Sequence, residues 1–249
     1  MIGCRCEVCL SENPKNHRFR PSILVRKDDF HILVDTTPEL RLQALTFDIR
    51  RVDVVLMTHT HADHIFGMDD LRRFNDLRNA DIPVYGTENV LADIRRIYEY
   101  IFKQTQMGGG KPRLTLHPLE SEHWLGGIRV EPLSVLHGRL PITSYRFEHF
   151  PSQDFPSQKS SAAYVTDVSK IPEATWNRLF DLDLLILDAV RFDPHPTHLG
   201  LYQALDIIAE LQPKQALITH ISHHFEHESV NNLLPPNVRL AYDGQKITF

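Results

Sequence analysis

Thr58-His-Thr-His-Ala-Asp-His64 follows directly on the apolar run Val52-Asp-Val-Val-Leu-Met57. The run is rich in β-branched and apolar residues and reads as a buried strand. The heptapeptide then sets three imidazoles and a carboxylate on the turn where that strand stops, where loops carry function on a rigid scaffold. Alternate residues of extended backbone face the same way, so His59 and His61 share a side. Asp63 and His64 lie past the turn and are placed to face a second ion. Imidazole with carboxylate suits zinc, manganese or iron rather than calcium.

The heptapeptide resembles the signature of the metallo-β-lactamase superfamily. The fold this implies is α/β, an αββα four-layer sandwich with two packed sheets inside and helices outside. That family needs three further ligands, each after a strand, and the sequence supplies candidates in order. His137 ends Ile128-Arg-Val-Glu-Pro-Leu-Ser-Val-Leu136, Asp167 ends Ala162-Ala-Tyr-Val-Thr166, and His220 ends Ala216-Leu-Ile-Thr219. The resemblance implies two divalent cations, Mn2+ or Zn2+. His59, His61 and His137 would hold one, Asp63, His64 and His220 the other, and Asp167 would bridge them.

Composition is compatible with this. A chain of 249 residues with 42% hydrophobic and 24% charged residues is ordinary for one globular domain, expected over 1–249. No apolar stretch approaches the ~18 residues of a membrane helix. No cationic segment followed by an apolar core opens the chain, so a cytoplasmic location is expected. A net charge of −5 argues against general nucleic-acid affinity.

All three cysteines fall within Gly3-Cys-Arg-Cys-Glu-Val-Cys9. A Cys4–Cys6 bridge would be badly strained, and an odd count leaves one thiol over. Without an export signal the thiols are expected to be reduced. Three thiolates on a tight turn make most of a tetrahedral zinc site. The family resemblance supplies the fourth ligand, because one subset carries C-x-C-x-x-C near its start and a His three residues after the last active-site His. Here that is His223, in Thr219-His-Ile-Ser-His223. Residues 1–12 then form a segment held by a structural Zn2+, and His224 is expected to face solvent.

The three motifs together resemble the PhnP-type cyclic phosphate phosphodiesterases. The likeness extends to Ile82-Pro-Val-Tyr-Gly86, Ala163-Tyr-Val-Thr-Asp-Val-Ser-Lys-Ile-Pro172 and Leu240-Ala-Tyr-Asp-Gly244. It implies hydrolysis of a small phosphate diester of the 5-phosphoribosyl 1,2-cyclic phosphate type, with water activated between the cations. Asp63 and His198 would be catalytic, His198 protonating the leaving oxygen, a role suited to an imidazole and worth on the order of 10²–10⁴-fold. Thr197 is expected to cap a helix that carries His198 in its first turn and Leu201, Leu205, Ile208 and Leu211 at helical spacing. Asp188, ending Leu184-Leu-Ile-Leu187, is expected to hold a ligand His in its tautomer. Arg139 and Arg191 are candidates to grip a terminal phosphate.

Residues 90–102 read as helix, Gly108-Gly-Gly-Lys-Pro112 as a break, and 149–158 as an exposed loop or lid. The family usually begins with a strand before its cysteine motif, whereas this chain starts at Met1-Ile-Gly-Cys4. A sandwich without the usual first strand is therefore expected. Its exposed edge would favour association, so a homodimer is compatible with the sequence. Rival readings are a tRNA 3′-processing or other nucleotide phosphodiesterase and a non-catalytic metal-binding accessory protein.

Overall fold

The computed structural model describes residues 1–103, 110–151 and 159–248. The Gly108–Gly109 part of the expected glycine break and residues 152–158 of the expected loop lie outside the described residues. The chain divides into two compact units, one of residues 20–127 and one of residues 1–19 with 128–249.

The 20–127 unit is built on a five-stranded sheet in the order β1 (Ile23–Lys27), β2 (Phe30–Val34), β3 (Val54–Leu56), β4 (Ile82–Gly86), β5 (Leu114–Pro118). β1 pairs antiparallel with β2, and the remaining pairs are parallel. β3 is central, so all three of its residues are buried, and its unbroken apolar run follows from burial on both faces. Asp53 sits at the head of that run. Its carboxylate accepts from His31 N at 2.8 Å, Arg51 Nε at 2.9 Å and Arg78 at 2.9 Å, so the buried charge is paired. Val34 lies opposite Leu56, which makes Asp35 and Thr58 leave the sheet at one edge.

Between the strands run α2 (Leu40–Thr46), α3 (Ala62–Ile65), α4 (Leu71–Arg78), α5 (Glu88–Ile97) and α6 (Glu99–Phe102), α1 (Glu7–Leu10) being a single turn of the other unit. Thr87 caps α5 through Val90 N. The helix expected over 90–102 is interrupted at Tyr98, whose backbone leaves helical values while its hydroxyl donates to Ile65 O at 2.8 Å. Leu33, Val55, Met57, Ile65, Met68, Leu71, Ile82 and Ile94 form the core. Each such side chain contributes about 1.5–3 kcal/mol on full burial. Gly67 is required beside α3, because a Cβ there would lie 2.0 Å from Thr37 O.

After β6 (His123–Leu125) the second unit supplies β7 (Ile128–His137), β8 (Leu140–His149), β9 (Ser160–Val165), β10 (Leu184–Asp188), β11 (Gln215–Thr219) and β12 (Val238–Leu240). They follow the order β12-β11-β10-β9-β8-β7. β7, β8 and β9 run antiparallel, whereas β9 to β12 run parallel. α7 (Glu173–Trp176), α8 (Leu201–Leu211) and α9 (His227–Asn231) complete the unit. Its core gathers Leu133, Val165, Leu185, Leu187, Ala204, Ile208, Ile218 and Phe225. Leu187 pairs with Val165 and Asp188 with Thr219, so Asp167, Asp188 and His220 emerge at the carboxyl ends of adjacent parallel strands. In open α/β sheets that is where ligands bind.

Candidate metal centre

In the 20–127 unit the His-rich turn is held by an acid the motif does not contain. Asp35 is fully buried and accepts three hydrogen bonds, from Thr58 N at 2.8 Å, Thr58 Oγ1 at 2.7 Å and His64 Nδ1 at 2.8 Å. His64 therefore carries its proton on Nδ1 and its lone pair on Nε2. Since Thr58 Oγ1 gives its proton to Asp35, it accepts from His59 Nδ1 at 2.9 Å and fixes the same tautomer there. Ring centroids of His59 lie 4.6 Å from His61 and 4.2 Å from His64, and Asp63 Oδ2 is 3.6 Å from His64 Nε2. Neutral imidazoles whose Nδ1–H is committed to an oxygen are the donor set of a divalent-cation site. These residues fit the cations the sequence calls for.

The second unit gathers its donors from separate strand ends. His137, Asp167 and His198 offer ligand atoms within 4.8 Å of one another, as do Asp188, His198 and His220. His137 donates Nδ1–H to Thr197 O at 2.7 Å, so its lone pair too is on Nε2. His220 Nε2 is 3.4 Å from Asp167 Oδ2. Asp188 is fully buried. Its Oδ2 receives His198 Nδ1 at 3.1 Å, Val168 N at 3.2 Å and Leu199 N at 3.4 Å. Its Oδ1 stands 3.9 Å from His220 Nδ1. Burial pushes the Asp188 carboxyl above its ordinary range, against the pull of His198 and His220. Asp35, Asp167 and His220 all take left-handed backbone, with φ of 63°, 53° and 55°. Such strain in non-glycine residues collects at functional sites.

The expectation for Thr197 and His198 needs correction. α8 begins at Leu201 with Gly200 as its N-cap, and Gln203 Oε1 accepts from Gly200 N at 3.0 Å. Residues 192–199 stay outside the helix because the chain folds back there. A Cβ on Gly200 would lie 2.8 Å from the Asp193 backbone, and Arg191 bridges to Gly200. His198 thus sits on a braced loop, stacked at 4.8 Å on His220 and edge-on at 4.6 Å to His137. Arg191 spends its guanidinium on that loop, donating to Asp193 O at 3.2 Å and Pro194 O at 2.5 Å. Arg139 is exposed.

Cys4, Cys6, Cys9 and His223 come together with ligand atoms within 4.8 Å of one another. His223 Nδ1 lies 3.3 Å from Cys4 Sγ and 3.4 Å from Cys6 Sγ. The Cys9 backbone N–H and then the His223 ring pull the Cys6 thiol down to about 6. His224 is engaged by Ser222 Oγ at 2.7 Å and is exposed.

Sequence reasoning missed Asp35 and His195. Asp35 ends the apolar strand β2 as the other site residues end theirs, and that signal could have found it. His195 has no such pattern, and only the folded loop brings its ring to 5.1 Å from His198.

Imidazoles and carboxylates gathered at strand ends, within each unit, are the donor set of a metal centre of the metallo-β-lactamase fold. The chain belongs to the β-lactamase superfamily, whose domain profile (Beta-lactamase superfamily domain) matches residues 31–221. Within it the chain is PhnP-like. The crystal structure of a new diphosphatase from the PhnP family is similar at a TM-score of 0.88 and 39% identity, over 99% of this chain and 90% of that one. An octanoyltransferase of Porphyromonas gingivalis is 34% identical over 98% of this chain but 47% of its own length. A ribonuclease Z of Clostridioides difficile is 23% identical over 78% of this chain and 61% of its own. The chain thus spans about half of the first of these curated relatives and about three fifths of the second.

Proposed function

We propose that both units form one hydrolase domain that opens a small cyclic phosphate diester of the 5-phosphoribosyl 1,2-cyclic phosphate type. The observation that carries this reading is the His198–Asp188 pair, an acid held by a buried carboxylate beside His137, Asp167 and His220. The likeness to a PhnP-family enzyme supports it. In this reading His59, His61 and His137 hold one cation, Asp63, His64 and His220 the other, and Asp167 both. When bound, the pair neutralises non-bridging phosphoryl oxygens and lowers the pKa of water. Asp63 also orients the attacking water. As the new P–O bond forms and the bond from phosphorus to the sugar oxygen breaks, His198 gives its Nε2 proton to that oxygen. Asp188 stabilises the imidazolium that precedes the transfer. Cys4, Cys6, Cys9 and His223 hold a structural zinc that ties the N-terminal turn to the loop after β11. Arg139, being exposed, is the better placed of the two arginines to meet a terminal phosphate.

A second reading, hydrolysis of a diphosphate, draws on the similarity to the PhnP-family diphosphatase. Ribonuclease activity has less behind it, given the net charge of −5. Most of the octanoyltransferase lies outside the matched stretch, so its name need not describe the shared residues. The test is product analysis by phosphorus NMR with manganese- or zinc-loaded protein. It would be given 5-phosphoribosyl 1,2-cyclic phosphate, ADP-ribose, a 2′,3′-cyclic nucleotide and a precursor tRNA in parallel. Opening of the ribosyl diester at the highest kcat/KM is expected. Turnover of ADP-ribose alone would replace the reading by the second, and turnover of none would sink both.

A further inference from the structure

His195 is absorbed by none of the roles assigned above, yet the loop between β10 and α8 is built to hold it. His195 Nδ1 accepts from Thr197 N at 3.3 Å and lies 3.2 Å from Thr197 Oγ1. The same Thr197 residue takes the Nδ1–H of His137 on its carbonyl at 2.7 Å. One residue therefore fixes both the candidate ligand His137 and the ring of His195. Pro196 restrains the residue before it to extended backbone. Arg191 ties down the carbonyls of Asp193 and Pro194 on the other side. The ring so held is partly exposed and stands 5.1 Å from that of His198. With Nδ1 accepting from a backbone N–H, neutral His195 must carry its proton on Nε2, as a donor.

We propose that His195 is a specificity-determining residue whose Nε2–H binds the leaving-group side of the substrate, namely an oxygen of its sugar phosphate. The proposal rests on the functional reading above for one point only. If His198 protonates the leaving sugar oxygen, an imidazole whose ring lies 5.1 Å from that of His198 sits on the sugar side of the phosphorus rather than on the side of the attacking water. A fixed neutral donor recognises a phosphate or hydroxyl oxygen without adding charge next to the acid. A site built to bond such an oxygen discriminates against substrates that lack it.

The test is His195→Asn. The Asn Oδ1 takes the place of Nδ1 and accepts from Thr197 N as in an Asx-turn, so the brace is retained while the distal donor is lost. kcat and KM are measured for the ribosyl cyclic diester and for bis(p-nitrophenyl) phosphate, whose leaving group has no sugar and needs no proton. The expected result is a loss of roughly tenfold or more in kcat/KM on the ribosyl substrate, carried mainly by KM. On the nitrophenyl diester the change should stay within about twofold. Equal losses on both substrates, or none on either, would overturn the proposal. Calorimetric titration of ribose 5-phosphate into wild type and variant reads the same contact without turnover. Weaker binding by the variant supports the proposal even if the ribosyl diester is not hydrolysed, in which case only the functional reading falls. Identical affinity, or no binding to wild type, overturns it. His195→Gln, which returns an N–H near the Nε2 position, should recover part of the affinity, and circular dichroism checks that each variant folds.

Discussion

The His-rich turn of the 20–127 unit and the strand ends of the other unit reach the same donor chemistry by opposite routes. In the first, four candidate ligands lie within six residues, and one buried acid outside the motif, Asp35, sets the tautomers. In the second, His137, Asp167, His198 and His220 come from four separate segments, and Asp188 is the buried acid. The two acids differ in how their oxygens are used. Both oxygens of Asp35 receive donors, whereas the hydrogen bonds to Asp188 fall on Oδ2. A local motif can be fixed by one saturated carboxylate, while an assembled site leaves its carboxylate room to respond to charge.

The largest effect expected from breaking this arrangement is at His198. His198→Ala should lower kcat on the ribosyl diester by about 10²–10⁴-fold. The loss should be far smaller on a nitrophenyl diester, whose leaving group departs unprotonated. A steady-state comparison of the two substrates checks it, and equal losses would mean that His198 is a ligand or a support. The next effect belongs to the other unit. Asp35→Ala leaves a buried backbone N–H, a hydroxyl and an imidazole N–H without their acceptor. A stability loss of about 3–5 kcal/mol is expected in urea titration. Manganese or zinc affinity should fall about 10–100-fold, since the His64 tautomer is no longer fixed.

Acid sharpens the comparison from the scaffold side. Burial would raise the Glu148 carboxyl, but Lys159, Arg129 and Arg146 outweigh it and hold the group down at about 2. Their nitrogens lie 2.8–2.9 Å from its oxygens. A carboxylate with a depressed folded pKa contributes stability above its unfolded value. That contribution is lost as pH falls through the folded one. The unit carrying β8 should therefore lose about 2–3 kcal/mol between roughly pH 4.5 and pH 2. Glu148→Gln should be less stable at neutral pH and show a flatter acid limb in urea midpoints. A wild-type curve already flat over that range would refute the assignment.

Much of this could be read from residues whose neighbours in sequence are also neighbours in space. The turn at 58–64, the strand ends at 137, 167, 188 and 220, and the cysteine cluster all announce themselves locally. Asp35 was hidden because its partners lie more than twenty residues away, although it ends an apolar strand as the others do. The start of α8 was misplaced because Thr197 is a good N-cap by type. Its hydroxyl and peptide are instead committed to His195 and His137, and Gln203 rewards capping at Gly200. Tyr98 interrupts its helix for a hydrogen bond to Ile65, a contact no periodicity encodes.

The smallest effect expected is also the one that separates the two acids most cleanly. An amide replaces one acceptor oxygen by a donor. At position 35 either orientation sets NH2 against an existing donor, because Oδ1 takes Thr58 N and Oδ2 takes both Thr58 Oγ1 and His64. At position 188 the amide oxygen can occupy the Oδ2 place and keep His198, Val168 N and Leu199 N as donors. Its NH2 then falls where Oδ1 made no hydrogen bond and stood 3.9 Å from His220 Nδ1, so a buried N–H is left without an acceptor but no existing hydrogen bond is opposed. Asp188→Asn should accordingly fold, at a cost of about 1–3 kcal/mol and less than that of Asp35→Asn. It should keep His198 oriented but remove the negative charge beside it. The expected outcome is a fall in kcat of about tenfold on the ribosyl diester, with a much smaller change on the nitrophenyl diester. If both substrates lose equally, Asp188 acts as a support of the site and not through His198. If Asp188→Asn unfolds as readily as Asp35→Asn, the distinction between a saturated anchor and a responsive one is wrong.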